Sequence, residues 1–252
     1  MRTALTAAVL AATATACLAC SGQDEVVGAP AAAAPTTASA VASVPAPSPA
    51  APPISTPELE QRLFGAVRAD DADAVRAALS LGAALEARGD GGRTPLVAAA
   101  KSNSVNAARV LVEAGADVNA KDDIEDSAFL YAGAEGYDEI LALTLAHGAD
   151  VTSLNRYGGT ALIPASEHGY TSTVRTLIRA GVPVDHVNEP GWTAMLEAVV
   201  YGDGSARYVD VITQLLEAGA DPSIEDADGR TALENAERRD QHEVAALLRG
   251  QR

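Results

Sequence analysis

Residues 155–181 read N-R-Y-G-G-T-A-L-I-P-A-S-E-H-G-Y-T-S-T-V-R-T-L-I-R-A-G, and variants of this stretch precede and follow it. Each copy has a glycine at the end of an apolar run, at positions 82, 115, 148, 181 and 219. Each also has a threonine or serine that opens a second apolar phrase, at positions 94, 127, 160, 193 and 231. Both series advance by 33 residues and make one longer step, of 38, before the last copy. Two series that share one period and one interruption indicate a repeat protein.

Each copy is typical of a turn followed by two helices. The hydroxyl of Thr160 is predicted to cap the first helix, because it can accept a hydrogen bond from a free amide of the first turn. The second helix has its apolar face at Val174, Leu177 and Ile178, spaced i, i+3 and i+4. Gly181 is suited to the left-handed conformation that ends many helices. The unit is therefore predicted to be a pair of short helices joined by turns.

Other copies carry further signals for helix starts. Pro95 follows Thr94 at the first helical position. An amide at that position has no hydrogen-bond partner within the helix, so a proline, which lacks the N–H, is tolerated there. Thr231 and Glu234 have the spacing of a capping box, in which each side chain bonds the backbone of the other residue. These signals predict that the first helix of each unit begins directly after its threonine or serine.

The phrases G-R-T-P-L-V-A-A-A at 92–100 and A-G-A-D-V-N-A-K at 114–121 resemble the ankyrin repeat. The resemblance covers residues 58–249 and implies an all-α ankyrin-repeat solenoid. It consists of about six helix-turn-helix units, including the end caps, with short β-hairpin fingers between them. The predicted units are 58–88, 89–121, 122–154, 155–187, 188–225 and 226–252. Residues 58–88 and 226–252 carry the charged surfaces expected of capping units.

Two departures from the family pattern carry expectations of their own. The histidine that the family often has in its T-P-L-H phrase is replaced at Val97, Leu130, Ile163, Leu196 and Glu234. We expect apolar packing to take over its role in the middle units. In the third unit, Glu125 stands where a turn glycine is usual, which predicts a distorted finger.

The chain begins with a segment that has the features of an export signal. Residues 1–20 combine one early arginine with an Ala, Leu and Val stretch that is too short to span a membrane. The phrase C-L-A-C-S-G at 17–22 resembles a bacterial lipobox and predicts lipidation of Cys20, with Cys17 as the alternative residue. Ordinary cleavage, which releases a free secreted protein, is the alternative to lipidation. The leading prediction is an exported, membrane-anchored lipoprotein that faces the periplasm or the extracellular side.

Residues 21–57 consist largely of Ala, Pro, Ser, Thr and Val, and this composition is typical of a disordered tether. No cysteine follows Cys20, so the repeat domain must be stable through packing alone. The net charge of −16 disfavours the phosphates of nucleic acids and of anionic lipids as partners. We expect a monomer that is held at the membrane by its lipid chains.

The sequence contains no recognisable catalytic or metal-binding motif. The four histidines, at positions 147, 168, 186 and 242, form no H-E-x-x-H motif, and no cysteine pair is available in the repeats. The glycine pairs at 91–92 and 158–159 lack the lysine of a phosphate-binding loop. We therefore expect no cofactor, no metal and no enzymatic activity.

The family resemblance implies binding through the fingers and through the inner face of the first helices. Tyr157, Trp192 and Tyr201 fall on this surface near arginines, and such aromatic and arginine side chains dominate many interfaces. The alternative is that Tyr157 and Trp192 pack on adjacent fingers and stiffen the stack. The candidate partner-binding residues are Arg93, Asp126, Arg156, Tyr157, Glu167, His168, Trp192, Glu197, Tyr201 and Arg230.

Three functions are compatible with this surface. The first is a tethered scaffold that binds an unidentified protein partner in the bacterial cell envelope. The second is a module that binds a small molecule or polysaccharide on its aromatic side chains. The third is an enzyme with a site around Glu167, His168 and Glu197. The five extra residues near 201–208 are expected to form a loop between two helices. Two roles are open for it: the loop makes a second contact, or Asp203 caps or ties the loop.

Overall fold

The computed structural model of the protein describes residues 55–250. The predicted signal segment, Cys17, Cys20 and nearly all of the predicted tether lie outside these residues. The described part contains twelve α-helices and one short 3-10 turn, at Asp90–Gly92. The helices are α1 Thr56–Arg68, α2 Ala72–Ser80, α3 Pro95–Lys101, α4 Val105–Glu113, α5 Ala128–Glu135, α6 Asp138–Ala146, α7 Leu162–Glu167, α8 Thr171–Arg179, α9 Ala194–Val200, α10 Ala206–Glu217, α11 Ala232–Arg238 and α12 His242–Arg249.

The helices form six consecutive pairs, which we number as units one to six. The odd-numbered first helices pack against one another from unit to unit, and so do the even-numbered second helices. This arrangement makes two helical layers with one continuous apolar core between and within the pairs. The second residue after each threonine or serine is buried in that core, at Leu96, Phe129, Leu162, Met195 and Leu233. The all-α solenoid of about six units is confirmed.

Several local predictions are confirmed. The Thr94 hydroxyl accepts a hydrogen bond from the Val97 amide at 3.2 Å, and Thr231 forms a capping box with Glu234. The side chains that replace the family histidine at positions 97, 130, 163 and 196 are buried. The five glycines that end the second helices have φ between 86° and 97°, and a Cβ there would meet nothing within 4 Å. Glycine is therefore needed at these positions for its backbone conformation and not for space.

The predicted cap at Thr160 is wrong. Helix α7 begins at Leu162, and the buried Thr160 hydroxyl has no hydrogen-bond partner in the described residues. In the second unit, the Thr94 carbonyl accepts from the amide four residues on, which leaves the Val97 amide free for the hydroxyl. Residue 164 is a proline and has no amide hydrogen. The Thr160 carbonyl accepts from Ile163 at 3.2 Å instead, and the hydroxyl loses its donor.

The fingers are turns that occupy residues 89–93, 122–126, 155–159, 188–192 and 226–230. Within residues 55–250 no strand forms, and β-pairing is limited to one isolated bridge between Lys121 and Ser127. Each finger is closed by the same two backbone hydrogen bonds. In the fourth unit, Asn155 N donates to Gly159 O and Gly158 N donates to Asn155 O, both at 2.9 Å.

The third finger is not distorted, contrary to the expectation from its missing glycine. Asp122 N donates to Asp126 O and Glu125 N donates to Asp122 O, both at 3.0 Å, as in the neighbouring fingers. Glu125 reaches this geometry with φ of 65°, a value that glycines adopt in the other fingers. The regular hydrogen bonding therefore holds a non-glycine residue in a conformation that costs free energy.

The insertion in the fifth unit forms the loop 201–205 between α9 and α10. Asp203 Oδ1 accepts from Ser205 N at 3.0 Å, as predicted for a residue that ties the loop. The buried Gln241 side chain of the sixth unit donates to the Gly202 carbonyl at 3.0 Å. The loop thus joins the fifth unit to the sixth.

Candidate functional site

Eight of the ten candidate residues line one pocket of about 490 Å³. Helices α5, α7 and α9 and the fingers of units three to five form this pocket, which we call the central pocket. The candidate residues that line it are Asp126, Arg156, Tyr157, Glu167, His168, Trp192, Glu197 and Tyr201. The structure therefore brings together side chains that are up to 75 residues apart in sequence.

The repeat fixes the places from which these side chains reach the pocket. Asp126 and Trp192 are the last residues of their fingers, and Trp192 N donates to the Asn188 side chain at 2.7 Å. Glu167 is the last residue of α7, and Tyr201 directly follows the last residue of α9. Because adjacent units repeat the same geometry, equivalent positions line up along one surface.

An arginine joins the fingers of the third and fourth units. Arg156 Nη1 lies 2.7 Å from Asp126 Oδ2, and its guanidinium carbon is 4.7 Å from the centroid of the Tyr157 ring. Burial raises the pKa of Asp126, and the charge of Arg156 opposes that rise. This ion pair with its aromatic support forms one wall of the pocket.

The aromatic side chains of the fifth unit form a second wall. The ring centroids of Trp192 and Tyr201 are 6.3 Å apart, with 58° between the ring planes. Tyr201 is 58% exposed and Tyr157 is 52% exposed, whereas Trp192 packs partly against the core. The stiffening role predicted as an alternative thus fits Trp192 better than Tyr157.

Two carboxyl groups meet in the pocket. Glu197 on α9 is 7% exposed, and its Oε1 accepts from Asn188 Nδ2 at 3.0 Å. Burial and then the charge of the neighbouring Glu167 carboxyl raise the pKa of Glu197 to about 7. Neither glutamate belongs to an ion pair within residues 55–250. Because burial and the neighbouring carboxylate both disfavour its charged form, Glu197 holds its proton more tightly than an isolated glutamate does.

His168 completes the set of titratable side chains that the sequence placed here. It follows Glu167 at the end of α7, and its ring centroid lies 5.4 Å from that of Tyr170. Within residues 55–250, no group of three or more His, Cys, Asp or Glu side chains is placed to hold a metal ion. The carboxyl pair can exchange a proton with solvent or attract a cation.

A set of polar contacts between the first helices and their fingers was not predicted from the sequence. A side chain on the first helix bonds the first residue of its own finger, nine residues earlier. Tyr131 bonds Asp122 at 3.1 Å, Glu197 bonds Asn188 at 3.0 Å and Asn235 bonds Asp226 at 2.8 Å. Pro164 holds this place in the fourth unit and lines the pocket. The period of the repeat is the signal that predicts these pairs.

The remaining candidates, Arg93 and Arg230, do not line the central pocket. Arg93 lines a groove of about 970 Å³ at α1 and α3, which we call the N-terminal groove. Its charged lining residues are Arg68, Arg88, Arg93, Lys101, Glu60 and Asp90. Arg230 lies in the last finger, where it pairs with Asp228 and with Asp226 at 3.8 Å.

The paired helices, turn fingers and shared pocket define a helical repeat solenoid with a binding surface. The chain belongs to the ankyrin repeat family, because the model for ankyrin repeats (3 copies) matches residues 58–122 and 129–226. Solved relatives share the fold. A crystal structure of an ankyrin repeat domain from Acinetobacter baumannii AYE is 52% identical, with a TM-score of 0.72, over 75% of this chain and 96% of that one. The ankyrin repeat protein EF0377 is 38% identical, with a TM-score of 0.72, over 75% of this chain and 97% of that one.

One curated relative matches a short part of the chain. A protein of Leifsonia xyli subsp. xyli (strain CTCB07), whose provisional name is ankyrin-containing lipoprotein, is 65% identical over 37 residues. The match spans 15% of each chain. None of the helices described in residues 55–250 is long and apolar enough to cross a membrane. The ankyrin fold identifies an interaction scaffold.

Proposed function

We propose that this protein is a membrane-tethered ankyrin scaffold of the bacterial cell envelope, which binds a protein partner through the central pocket and the fingers beside it. The observation that carries the proposal is the convergence of exposed aromatic and charged side chains from three consecutive units on one pocket. Framework residues such as Leu162 are buried, whereas Tyr157 and Tyr201 are more than half exposed. The repeat does not require large aromatic side chains at these exposed positions.

Replacement of Tyr157 and Trp192 by alanine tests the surface. The full chain and the double variant are used to capture proteins from an extract of the native envelope, and the captured proteins are quantified by mass spectrometry. We expect the double variant to lose most of a specific partner while its helix content, measured by circular dichroism, is kept. Leu81→Ala is the control, since Leu81 directly follows the second helix of the first unit, is 56% exposed and should retain capture. Undiminished capture by the double variant contradicts the proposal.

The lipid anchor is proposed from the phrase C-L-A-C-S-G at 17–22 and is supported by the name of the short Leifsonia match. Mass spectrometry of the mature N-terminus tests it. We expect a chain that begins at Cys20 and carries acyl groups, which would make membrane attachment stable. An unmodified N-terminus beyond Cys20 contradicts the anchor without affecting the binding surface.

A polysaccharide is the second candidate ligand, because the Trp192 and Tyr201 rings lie beside carboxyl groups in a pocket that could accept a sugar ring. Trp192 is the only tryptophan in the chain, so its fluorescence reports on this pocket. A saturable change in its emission with cell-wall fragments, together with no partner capture that depends on Tyr157 and Trp192, favours this second function.

A further inference from the structure

We infer that the central pocket receives a lysine or arginine side chain of the protein partner, held by the carboxylates of Glu167 and Glu197 and by the faces of Trp192 and Tyr201. This inference rests on the proposed function, because it assigns a chemistry to the partner that the same surface binds.

The first support is the environment of the Glu197 carboxyl group. Glu197 lines the pocket and is 7% exposed, and its carboxyl group interacts with the neutral Asn188 amide at 3.0 Å and with the Glu167 carboxyl, but with no basic side chain of the described residues. A buried carboxylate without a cation is unfavourable, so a cationic group that enters the pocket would relieve an existing electrostatic cost.

The second support is the charge balance of the pocket lining. The acidic side chains are Asp126, Glu135, Glu167 and Glu197, and the basic ones are Arg156 and, when protonated, His168. The guanidinium of Arg156 lies 2.7 Å from Asp126, so it leaves the two glutamates on α7 and α9 without a counter-charge. Their excess negative charge complements a cationic side chain.

The charged side chains on the other helices packed against α9 do not supply that counter-charge. On α10, Arg207 lies over the Tyr208 ring at 4.8 Å, and Asp210 lies 3.7 Å from Arg175. Arg238 at the end of α11 and Arg239 directly after it are exposed and do not line the pocket. The carboxyl pair therefore faces the pocket without a basic residue from its neighbours.

The third support is the aromatic wall. The Trp192 and Tyr201 rings meet at 58° with centroids 6.3 Å apart, so together they form a corner beside the carboxyl groups. Cations bind the faces of such rings, and tryptophan is the strongest of the aromatic partners. The pocket already contains one contact of this kind, between Arg156 and Tyr157 at 4.7 Å.

Binding of a cation should release a proton. Near neutral pH the carboxyl pair retains one proton, because burial and the charge of Glu167 raise the pKa of Glu197 to about 7. A cation between the two groups stabilises both carboxylates, and the displaced proton passes to the buffer. We expect affinity to rise with pH by up to about tenfold per pH unit below about pH 7, and to level off above it.

The test uses the purified full chain and three peptides, Ac-Gly-Ser-X-Ser-Gly-NH2, in which X is lysine, arginine or norleucine. Trp192 emission is the readout. We expect saturable binding of the lysine and arginine peptides in the millimolar range, at about 1 mM. We expect at least about tenfold weaker binding of the norleucine peptide, and the same loss for the lysine peptide in Glu197→Gln, because the charge contact is absent. Glu113→Gln, at an exposed position on α4, is the matched control and should bind as the wild type does.

Several results would overturn the inference. They are equal affinity for the norleucine peptide, no saturable change up to about 20 mM peptide, and unchanged affinity in Glu197→Gln. Tighter binding of free spermidine than of either charged peptide would overturn the assignment to a protein side chain. If Tyr157 and Trp192 are needed for partner capture but peptide charge has no effect, the inference fails and the proposed surface stands. If capture survives their replacement, the proposed surface itself fails.

Discussion

The N-terminal groove and the central pocket occupy the same side of the repeat, but their lining charges differ in sign. The residue before the helix cap is Arg93 in the groove and Asp126 or Trp192 in the pocket. The residue seven positions after the repeat threonine is Lys101 in the groove, after Thr94, and Glu167 in the pocket, after Thr160. The ankyrin fold therefore determines the positions of the lining side chains, and the residue types at those positions determine the charge of each region.

The two regions share their framework closely. Leu96 and Leu162 hold the same place in the second and fourth units, and both are at most 1% exposed. Substitutions at buried positions should therefore have similar effects on stability in the two regions, whereas substitutions of lining residues should have different effects.

The largest loss of stability is expected at the buried framework positions, where the groove and the pocket should respond alike. Leu162→Ala and Leu96→Ala each remove a fully buried side chain, so each should lower the free energy of unfolding by about 2–5 kcal/mol. Urea denaturation measures both. A cost for Leu96→Ala below half of that for Leu162→Ala would show that the groove and the pocket do not rest on equivalent frameworks.

The next largest effect is a pH dependence of stability that arises only in the central pocket. Glu197 has a pKa raised from 4.5 to about 7, so the folded protein retains a proton that the unfolded chain has already lost. Stability should fall as pH rises from about 4.5 to 7 and should then stay level. Since each pKa unit corresponds to about 1.4 kcal/mol, Glu197→Gln should stabilise the protein by about 2–3 kcal/mol at pH 8 and by little at pH 4.

Urea denaturation at both pH values tests this prediction. The exposed Glu113→Gln is the control, and its stability should follow that of the wild type across the range. If Glu197→Gln has no greater stability advantage over the wild type at pH 8 than at pH 4, the two glutamates do not hold a shared proton in the folded protein.

A smaller difference is expected between two ion pairs. Arg156→Ala leaves the buried carboxyl of Asp126 without its cation and should cost about 1–2 kcal/mol, because half of the arginine is exposed to solvent. Arg62→Ala removes the exposed pair with Glu58 in the first unit and should cost less than about 0.5 kcal/mol. Equal costs would mean that the wall of the pocket adds no more stability than a surface ion pair.

The sequence predicted the framework because its signals are local and repeated. The caps at Thr94 and Thr231 depend on residues within one turn, and the helix-ending glycines depend on their own backbone conformation. Eight of ten candidate residues could be placed in one pocket because a fixed period converts sequence position into place on a surface.

The contacts within the pocket could not be predicted in the same way. The period indicates that Glu197 and Glu167 lie on adjacent helices, but it does not say how deeply each is buried or which group neutralises it. The regular third finger was also missed, because the hydrogen bonds that hold Glu125 come from the finger as a whole. The missing cap at Thr160 had a visible signal in Pro164. Because Pro164 has no amide hydrogen, the carbonyl and the hydroxyl of Thr160 compete for the amide of Ile163.

Pro164→Ala isolates that competition and should have the smallest effect on stability. An amide at residue 164 can donate to the Thr160 carbonyl, which frees the Ile163 amide to bond the Thr160 hydroxyl, as Val97 bonds Thr94 at 3.2 Å. The regained cap should contribute about 0.5–1 kcal/mol, and the loss of proline should cost about 0.4–1 kcal/mol through the unfolded chain. We therefore expect a net change within about 0.5 kcal/mol, with helix α7 lengthened by one residue. A crystal structure of the variant should place the Thr160 hydroxyl about 3.2 Å from the Ile163 amide, as in the second unit. If the hydroxyl stays without a donor, proline is not the reason that the fourth unit departs from the others, and packing around Thr160 must be responsible.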